Sequence, residues 1–156
     1  FLSSQAVMLA LRGMPAPYFH SLIGTTNDTA GYEATGKARR INRRKYERGE
    51  LDALLAASDS TQRKVFNGYK ALLAKRIAEP AFHPDASQTV IDLGNPALLA
   101  FDRVSLDENR RVLVVANVSE TPQDVTLPER YTDATDLISA NADFSTLEPG
   151  QTVWLI

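Results

Sequence analysis

Apolar positions recur at helical spacing through the first half of the chain and gather into short β-type runs after Pro84. In FLSSQAVMLAL, Leu2, Ala6, Leu9 and Ala10 share one face. That spacing predicts a helix from the start of the chain to Arg12, where Gly13 and then Pro15 stop it. The run PAPYFHSLIG follows, opened by Pro15 and Pro17 and filled by Tyr18, Phe19 and Leu22. It reads as a short buried strand leading into a loop, although Pro17 removes a ladder donor. Gly24 to Lys37 is polar and reads as a long loop, a common place for function.

Two further helices are expected. Residues 48 to 57 place Leu51, Leu54 and Leu55 on one face. Asp59, with Gln62 three residues on, offers a capping box for the next. Val65, Tyr69, Leu72, Leu73 and Ile77 then continue at helical spacing to Ala78, and Pro80 ends the pattern. Tyr69 lies in this stripe and reads as core. Beyond Pro84, the runs QTVIDLG, ALLAFDRVS, RVLVVANVS, QDVTLP and QTVWLI are separated by turn material: Gly94-Asn95-Pro96, Asp107-Glu108-Asn109 and Pro149-Gly150. They predict an antiparallel, sandwich-like all-β region over 85–156, after a mainly helical segment over 1–84. The fold class is therefore α+β. No internal repeat or low-complexity tract is present.

Composition narrows the picture. The chain has 156 residues, is 44% hydrophobic and 23% charged, and carries a net charge of -2. Phosphate-binding domains usually carry a basic excess, so the acidic balance argues against whole-domain nucleic-acid binding. Absence of cysteine excludes disulfides and thiol chemistry and fits a cytoplasmic protein. No apolar run approaches the roughly 20 residues of a membrane span, and no signal peptide is visible. The first residue is Phe, already inside a helical pattern, which points to a piece of a longer polypeptide ahead of a processed terminus.

The chemistry is concentrated in GKARRINRRKY, Gly36 to Tyr46. Ile41 is its one apolar residue, and some of Arg39, Asn42 and Arg43 around it are expected to be held inward. Lys37, Arg44 and Lys45 are expected to face water. A guanidinium makes paired hydrogen bonds to carboxylates, phosphates or vicinal hydroxyls. On the residues alone, a solvated face or a structural ion pair remains the leading reading of this run. His20 follows the apolar run and can line a site or be a satisfied loop histidine; His83 reads as structural. Two histidines and no cysteine give a metal centre little support, and no cofactor fingerprint is present. Asn27-Asp28 reads as an Asx turn rather than a ligand site.

Taken in order, LALRGMPAPYFHSLIGTTND and TGKARRINRRKY resemble the end of a sucrose-phosphorylase-type enzyme of the α-amylase superfamily of glycoside hydrolases. There a helix precedes a Gly-x-Pro-x-x-Tyr strand, here Gly13 to Tyr18, the last strand of a (β/α)8 barrel. The final helices and an antiparallel C-terminal domain follow. Phe-His-Ser-Leu-Ile-Gly looks closer to the glucosylglycerate phosphorylase branch than to the sucrose enzymes. Pro17 departs from the aliphatic residue usual at its position.

The resemblance implies a retaining phosphorolysis of an α-glucoside, with an Asp nucleophile, a Glu acid/base and a further Asp on earlier strands. No catalytic residue is then expected in this chain, which should be inactive alone. Arg43, of the Ile-Asn-Arg motif, would help hold glucosyl hydroxyls, with Arg39 and Asn42 supporting its loop and His20 and Ser21 near the acceptor side. The implied partners are the α-glucoside, inorganic phosphate and the missing upstream barrel segment, with no nucleic acid, membrane, metal or cofactor. With the resemblance counted, one wall of a sugar site becomes the leading reading of the Arg-rich run.

Two alternatives stand beside it. A non-catalytic carbohydrate-binding module would need exposed rings, and Phe101, Tyr131, Phe144 and Trp154 are the aromatics of the β half; Phe101 and Trp154 read as core. Nucleic-acid binding through Arg39 to Arg48 has only Tyr46 as an interleaved ring.

Overall fold

The computed structural model describes residues 1–140 and 144–156. Its helices are α1 (Leu2–Ala10), α2 (Phe19–Leu22), α3 (Thr29–Thr35), α4 (Arg48–Ala56) and α5 (Thr61–Ala78). Its strands are β1 (Ser87–Val90), β2 (Leu98–Val104), β3 (Arg111–Asn117), β4 (Gln123–Asp124), β5 (Thr146–Leu147) and β6 (Thr152–Leu155). The chain forms two compact units, residues 1–15 with 72–156, and residues 16–71. Composition changes near residue 85, whereas compactness divides the chain elsewhere.

In the first unit β1, β2, β3 and β6 form one antiparallel sheet in that order, and β4 pairs with β5 in a second. Alternation along β3 explains its central place. Leu113 and Val115 enter a core with Tyr131, Ala134, Phe144, Leu147, Val153 and Leu155. Val112 and Val114 point the other way and are equally buried. There α1 packs on β3 and β6 with Ala6, Leu9 and Ala10 inward. Full burial of Leu9 stabilises by about 1.5–3 kcal/mol. The outer edge of β6 is occupied: Thr135 and Ile156 exchange backbone hydrogen bonds of 3.1 Å, and the Asp136 carboxylate accepts from the Trp154 N–H at 2.8 Å. This removes a strand edge open to association.

Two arginines finish this unit. Arg103, fully buried on β2, donates to the carbonyls of Ala10 (2.5 Å), His83 (2.8 Å) and Ser87 (3.1 Å). Arg76, buried on α5, donates to the carbonyls of Leu9 and, at 2.8 Å, Gly13. The last carbonyls of a helix lack intrahelical donors, and these guanidiniums supply them at the end of α1. Burial first, then repulsion from Arg76 and Arg12, pushes the Arg103 pKa down to about 10.

Three sequence expectations change. Pro15 to Tyr18 forms no strand, and Phe19–Leu22 is a helical turn whose Tyr18 and Phe19 are 51% and 52% exposed. A strand needs hydrogen-bonded neighbours; none pairs here among the described residues, and Pro15 and Pro17 donate nothing. The cap of α5 is Ser60, whose Oγ accepts from the Arg63 N–H at 3.0 Å, rather than Asp59. The buried stripe of α5 runs through Gln62, Tyr69, Leu72 and Arg76, which leaves Ile77 83% exposed, one position off the stripe. Tyr69 is core, as its spacing indicates.

Candidate functional site

The Arg-rich stretch lies in the second unit, and its geometry starts at Asp28. Residues 24–37, expected as loop, contain α3, because Asp28 caps that helix: Oδ1 accepts from the Gly31 N–H at 3.0 Å. Glycine at 31 leaves room for that carboxylate, since a Cβ there would lie 2.2 Å from Asp28 Oδ2 and push it aside. The preceding corner also needs glycine. Gly24 has φ +59°, and a Cβ would stand 2.8 Å from Val65 Cβ on α5.

From Asp28 two bonds reach the basic stretch. Its N–H donates to the Ile41 carbonyl at 2.7 Å, and Oδ2 accepts from Arg40 Nη2 at 3.2 Å. Ala38–Arg40 is a 3-10 turn, and the Arg43 N–H donates to the Arg40 carbonyl at 3.0 Å. Arg40 and Ile41 are therefore held, while Arg39, Asn42 and Arg43 are exposed. None of the three is held inward, where some were expected to be. Among the described residues no acceptor meets the Arg39 or Arg43 guanidinium, and the Asp28 links turn Arg40 inward instead.

Arg44, expected in water, is also committed. It pairs with Glu50 in the first turn of α4, and its guanidinium carbon lies 4.7 Å from the Tyr46 ring centroid. Cation–π geometry of this kind stabilises by about 0.5–1 kcal/mol at a partly exposed site.

Rings gather beside it. His20, on α2, sits 5.3 Å from both Tyr18 and Phe19 in edge contacts and 6.5 Å from Tyr46. Its Nδ1 lies 3.0 Å from Thr25 Oγ1. Ser21, next on α2, is half-buried, and its carbonyl accepts from the Gly24 N–H at 3.2 Å. Two buried polar atoms in this region have no hydrogen-bond partner among the described residues, Arg40 Nε and Tyr46 Oη.

Of the five residues singled out in the sequence, His20 is brought against the basic stretch through Tyr46. Arg39, Asn42 and Arg43 share the exposed turn, and Ser21 is half-buried on α2. Sequence reasoning missed Arg40, Arg44, Tyr46 and Thr25. For Arg44 a signal existed in Glu50, six residues on. For Arg40 the partner lies twelve residues away, across a helix that composition did not reveal.

The remaining candidates resolve elsewhere. Asp28 is a cap, in line with the turn reading. His83 Nδ1 accepts from the Asp85 N–H at 3.2 Å, a structural contact. Phe101, Tyr131, Phe144 and Trp154 are all buried, so none offers a ring to a sugar from the β half. No helix among the described residues is long and apolar enough to cross a membrane.

Comparison with known proteins gives the context. No protein-family model matches the chain. Glucosylglycerate phosphorylase from Allomeiothermus silvanus is 34% identical over 156 residues, all of this chain and 26% of that protein. The enzyme of the same name from Spirochaeta thermophila is 41% identical over 128 residues, 82% of this chain and 22% of its own length. That from Escherichia coli is 32% identical over 158 residues. The chain spans about a quarter of the length of the curated relatives it matches.

Among solved structures, trehalulose synthase MutB from Pseudomonas mesoacidophila MX-45 aligns with 99% of this chain and 37% of its own, at TM-score 0.70 and 20% identity. The maltogenic amylase from S. marinus aligns with 99% of this chain and 19% of its own, at TM-score 0.68 and 18% identity. The α+β architecture with its antiparallel sheet is thus the fold seen in the C-terminal region of α-amylase-family enzymes. In sequence the chain matches the C-terminal part of glucosylglycerate phosphorylases, and in fold that of the α-amylase superfamily.

Proposed function

We propose that this chain is the C-terminal part of a retaining α-glucoside phosphorylase, in which residues 16–71 supply one wall of the sugar site. The observation that carries the reading is the match along the whole chain, at 34% identity, to a glucosylglycerate phosphorylase. Exposed, uncommitted guanidiniums on Arg39 and Arg43 add to it, because such groups suit a ligand rich in vicinal hydroxyls beside an anion. The substrates in this reading are glucosylglycerate or sucrose and inorganic phosphate, and the products are α-glucose 1-phosphate and the free acceptor.

The reaction divides into two displacements. A carboxylate from outside these 156 residues attacks the anomeric carbon, and a protonated Glu gives its proton to the departing acceptor oxygen. Hydrogen phosphate then gives its proton to that Glu and attacks the β-glucosyl ester from the opposite face, which restores the carboxylate. Arg43, with Asn42 and Arg39 beside it, holds the glucosyl hydroxyls. His20 and Ser21 stand toward the acceptor. The chain's own part is to bind and orient, so residues 1–156 alone form no glucose 1-phosphate.

The test is phosphorolysis by the gene product that carries this sequence, with glucosylglycerate and phosphate as substrates. Formation of α-glucose 1-phosphate supports the reading. Turnover by residues 1–156 alone contradicts it, as does absence of turnover by the gene product.

A further inference from the structure

In the proposed sugar site the reach of Arg43 decides what it can hold. Its long side chain is exposed and has no partner among the described residues, so its direction depends on the backbone that carries it. We propose that Asp28 is a positioning residue for the sugar site: it fixes the turn that presents Arg43, through Arg40 and Ile41. This rests on the assignment of Arg43 to the glucosyl group.

The geometry is a short relay. Asp28 makes four bonds, and each uses a different atom. Oδ1 takes the Gly31 N–H at 3.0 Å, and Oδ2 takes Arg40 Nη2 at 3.2 Å. The Asp28 N–H donates to the Ile41 carbonyl at 2.7 Å, and its own carbonyl accepts from the Tyr32 N–H at 3.0 Å. Two of these bonds cross from the start of α3 to the two residues before Asn42. The next link is the Arg43 N–H on the Arg40 carbonyl, at 3.0 Å. Arg40 is thus gripped by its side chain and passes that constraint to Arg43 through its main chain.

The carboxylate is itself a fixed anchor. It occupies the space that a Cβ on residue 31 would fill, and its side chain is only 15% exposed. An ion pair with one partner this shielded is less weakened by water and salt than a surface pair. A cap alone needs one oxygen. The second oxygen and the backbone N–H are spent on the basic turn.

The experiment compares Asp28→Asn, Arg43→Ala and the double variant in the gene product that carries this sequence. Asn keeps a capping oxygen for Gly31 and loses the charge facing Arg40. Arg40→Gln cuts the same pair from the other side and serves if Asp28→Asn folds poorly. The readouts are KM for the glucosyl donor, KM for phosphate, and kcat.

The expected result is a rise of about fivefold in donor KM for Asp28→Asn or Arg40→Gln, with phosphate KM and kcat within about twofold. The double variant should bind donor no worse than Arg43→Ala alone, because the relay ends at Arg43. Multiplying effects in the double variant would overturn the proposal while leaving Arg43 in its place. A merely structural role would do the same by moving donor and phosphate KM together. If Arg43→Ala itself leaves donor KM unchanged, both the relay and the sugar-wall reading fall.

Discussion

Arginine does opposite work in the two compact units. In the sheet unit Arg76 and Arg103 are buried and donate to main-chain carbonyls. In residues 16–71, Arg39 and Arg43 are exposed and uncommitted, while Arg40 and Arg44 meet carboxylates. A dense basic run draws attention in a sequence. Yet Arg76 and Arg103, which hold the fold, lie outside that run, and Arg39 and Arg43, to which the proposed function gives a ligand, lie in it. Burial, not local charge density, separates the two uses.

The largest expected effect would break the comparison most plainly. Replacing Arg103 with Met removes its hydrogen bonds to the carbonyls of Ala10, His83 and Ser87, of which His83 keeps the Ala86 N–H. The buried Ala10 carbonyl left unsatisfied costs about 1–3 kcal/mol and each part-buried bond about 0.5–1.5 kcal/mol, so a loss of about 2–5 kcal/mol is expected in urea unfolding. Arg43→Ala should stay within about 0.5 kcal/mol in the same assay. Equal losses would show that the two arginines are not used differently.

Next in size is Gly24→Ala in residues 16–71, the unit that holds the basic run. The new Cβ meets Val65 at 2.8 Å on a backbone of φ +59°. Overpacking with strain predicts about 1–3 kcal/mol of destabilisation, partly relieved by Val65→Ala. A Gly24→Ala protein with unchanged melting temperature would contradict the close approach of that corner to α5.

An alkaline titration sharpens the description of the sheet unit. Tyr131 donates to the buried Asp102 carboxylate, and burial, followed by that hydrogen bond, raises its pKa well above the ordinary value. A group with a raised folded pKa contributes stability that is complete below its unfolded pKa, about 10 for tyrosine, and is lost as pH rises beyond it. The stability difference between wild type and Tyr131→Phe should therefore be constant near neutrality. Above about pH 10 it should shrink by up to about 1.4 kcal/mol per pH unit. A difference that stays flat through that range would remove the Tyr131–Asp102 contact from the description.

The smallest test concerns the α5 cap. Ser60→Ala should cost about 1 kcal/mol, and Asp59→Ala much less, by thermal melting. The reverse order would restore Asp59 to the role its spacing indicates.

Legibility in the sequence followed the same division. The β runs were readable because alternation and turn residues act locally: Gly94 and Gly150 take φ of +72° and +67° where their turns fall. Leu9, Ala10 and Tyr69 were readable as core from helical spacing. The segment from Pro15 to Leu22 was not, because its apolar content implies a buried strand while pairing depends on neighbours distant in sequence. The basic run was legible as a candidate site but not in its internal roles. Which arginine turns inward depends on Asp28, and α3 places that carboxylate against the turn. Arg76 and Arg103 left no signal, since their acceptors are backbone carbonyls that every residue carries.

The most direct measurement is phosphorolysis of glucosylglycerate by the gene product that carries this sequence, as wild type and as Arg43→Ala. Charged hydrogen bonds of about 1.5–3 kcal/mol predict glucose 1-phosphate from the wild type and a loss of about 10- to 100-fold in kcat/KM for the variant. Wild-type turnover with an unchanged Arg43→Ala would contradict the sugar-wall reading, and no turnover by either protein would contradict the proposed reaction.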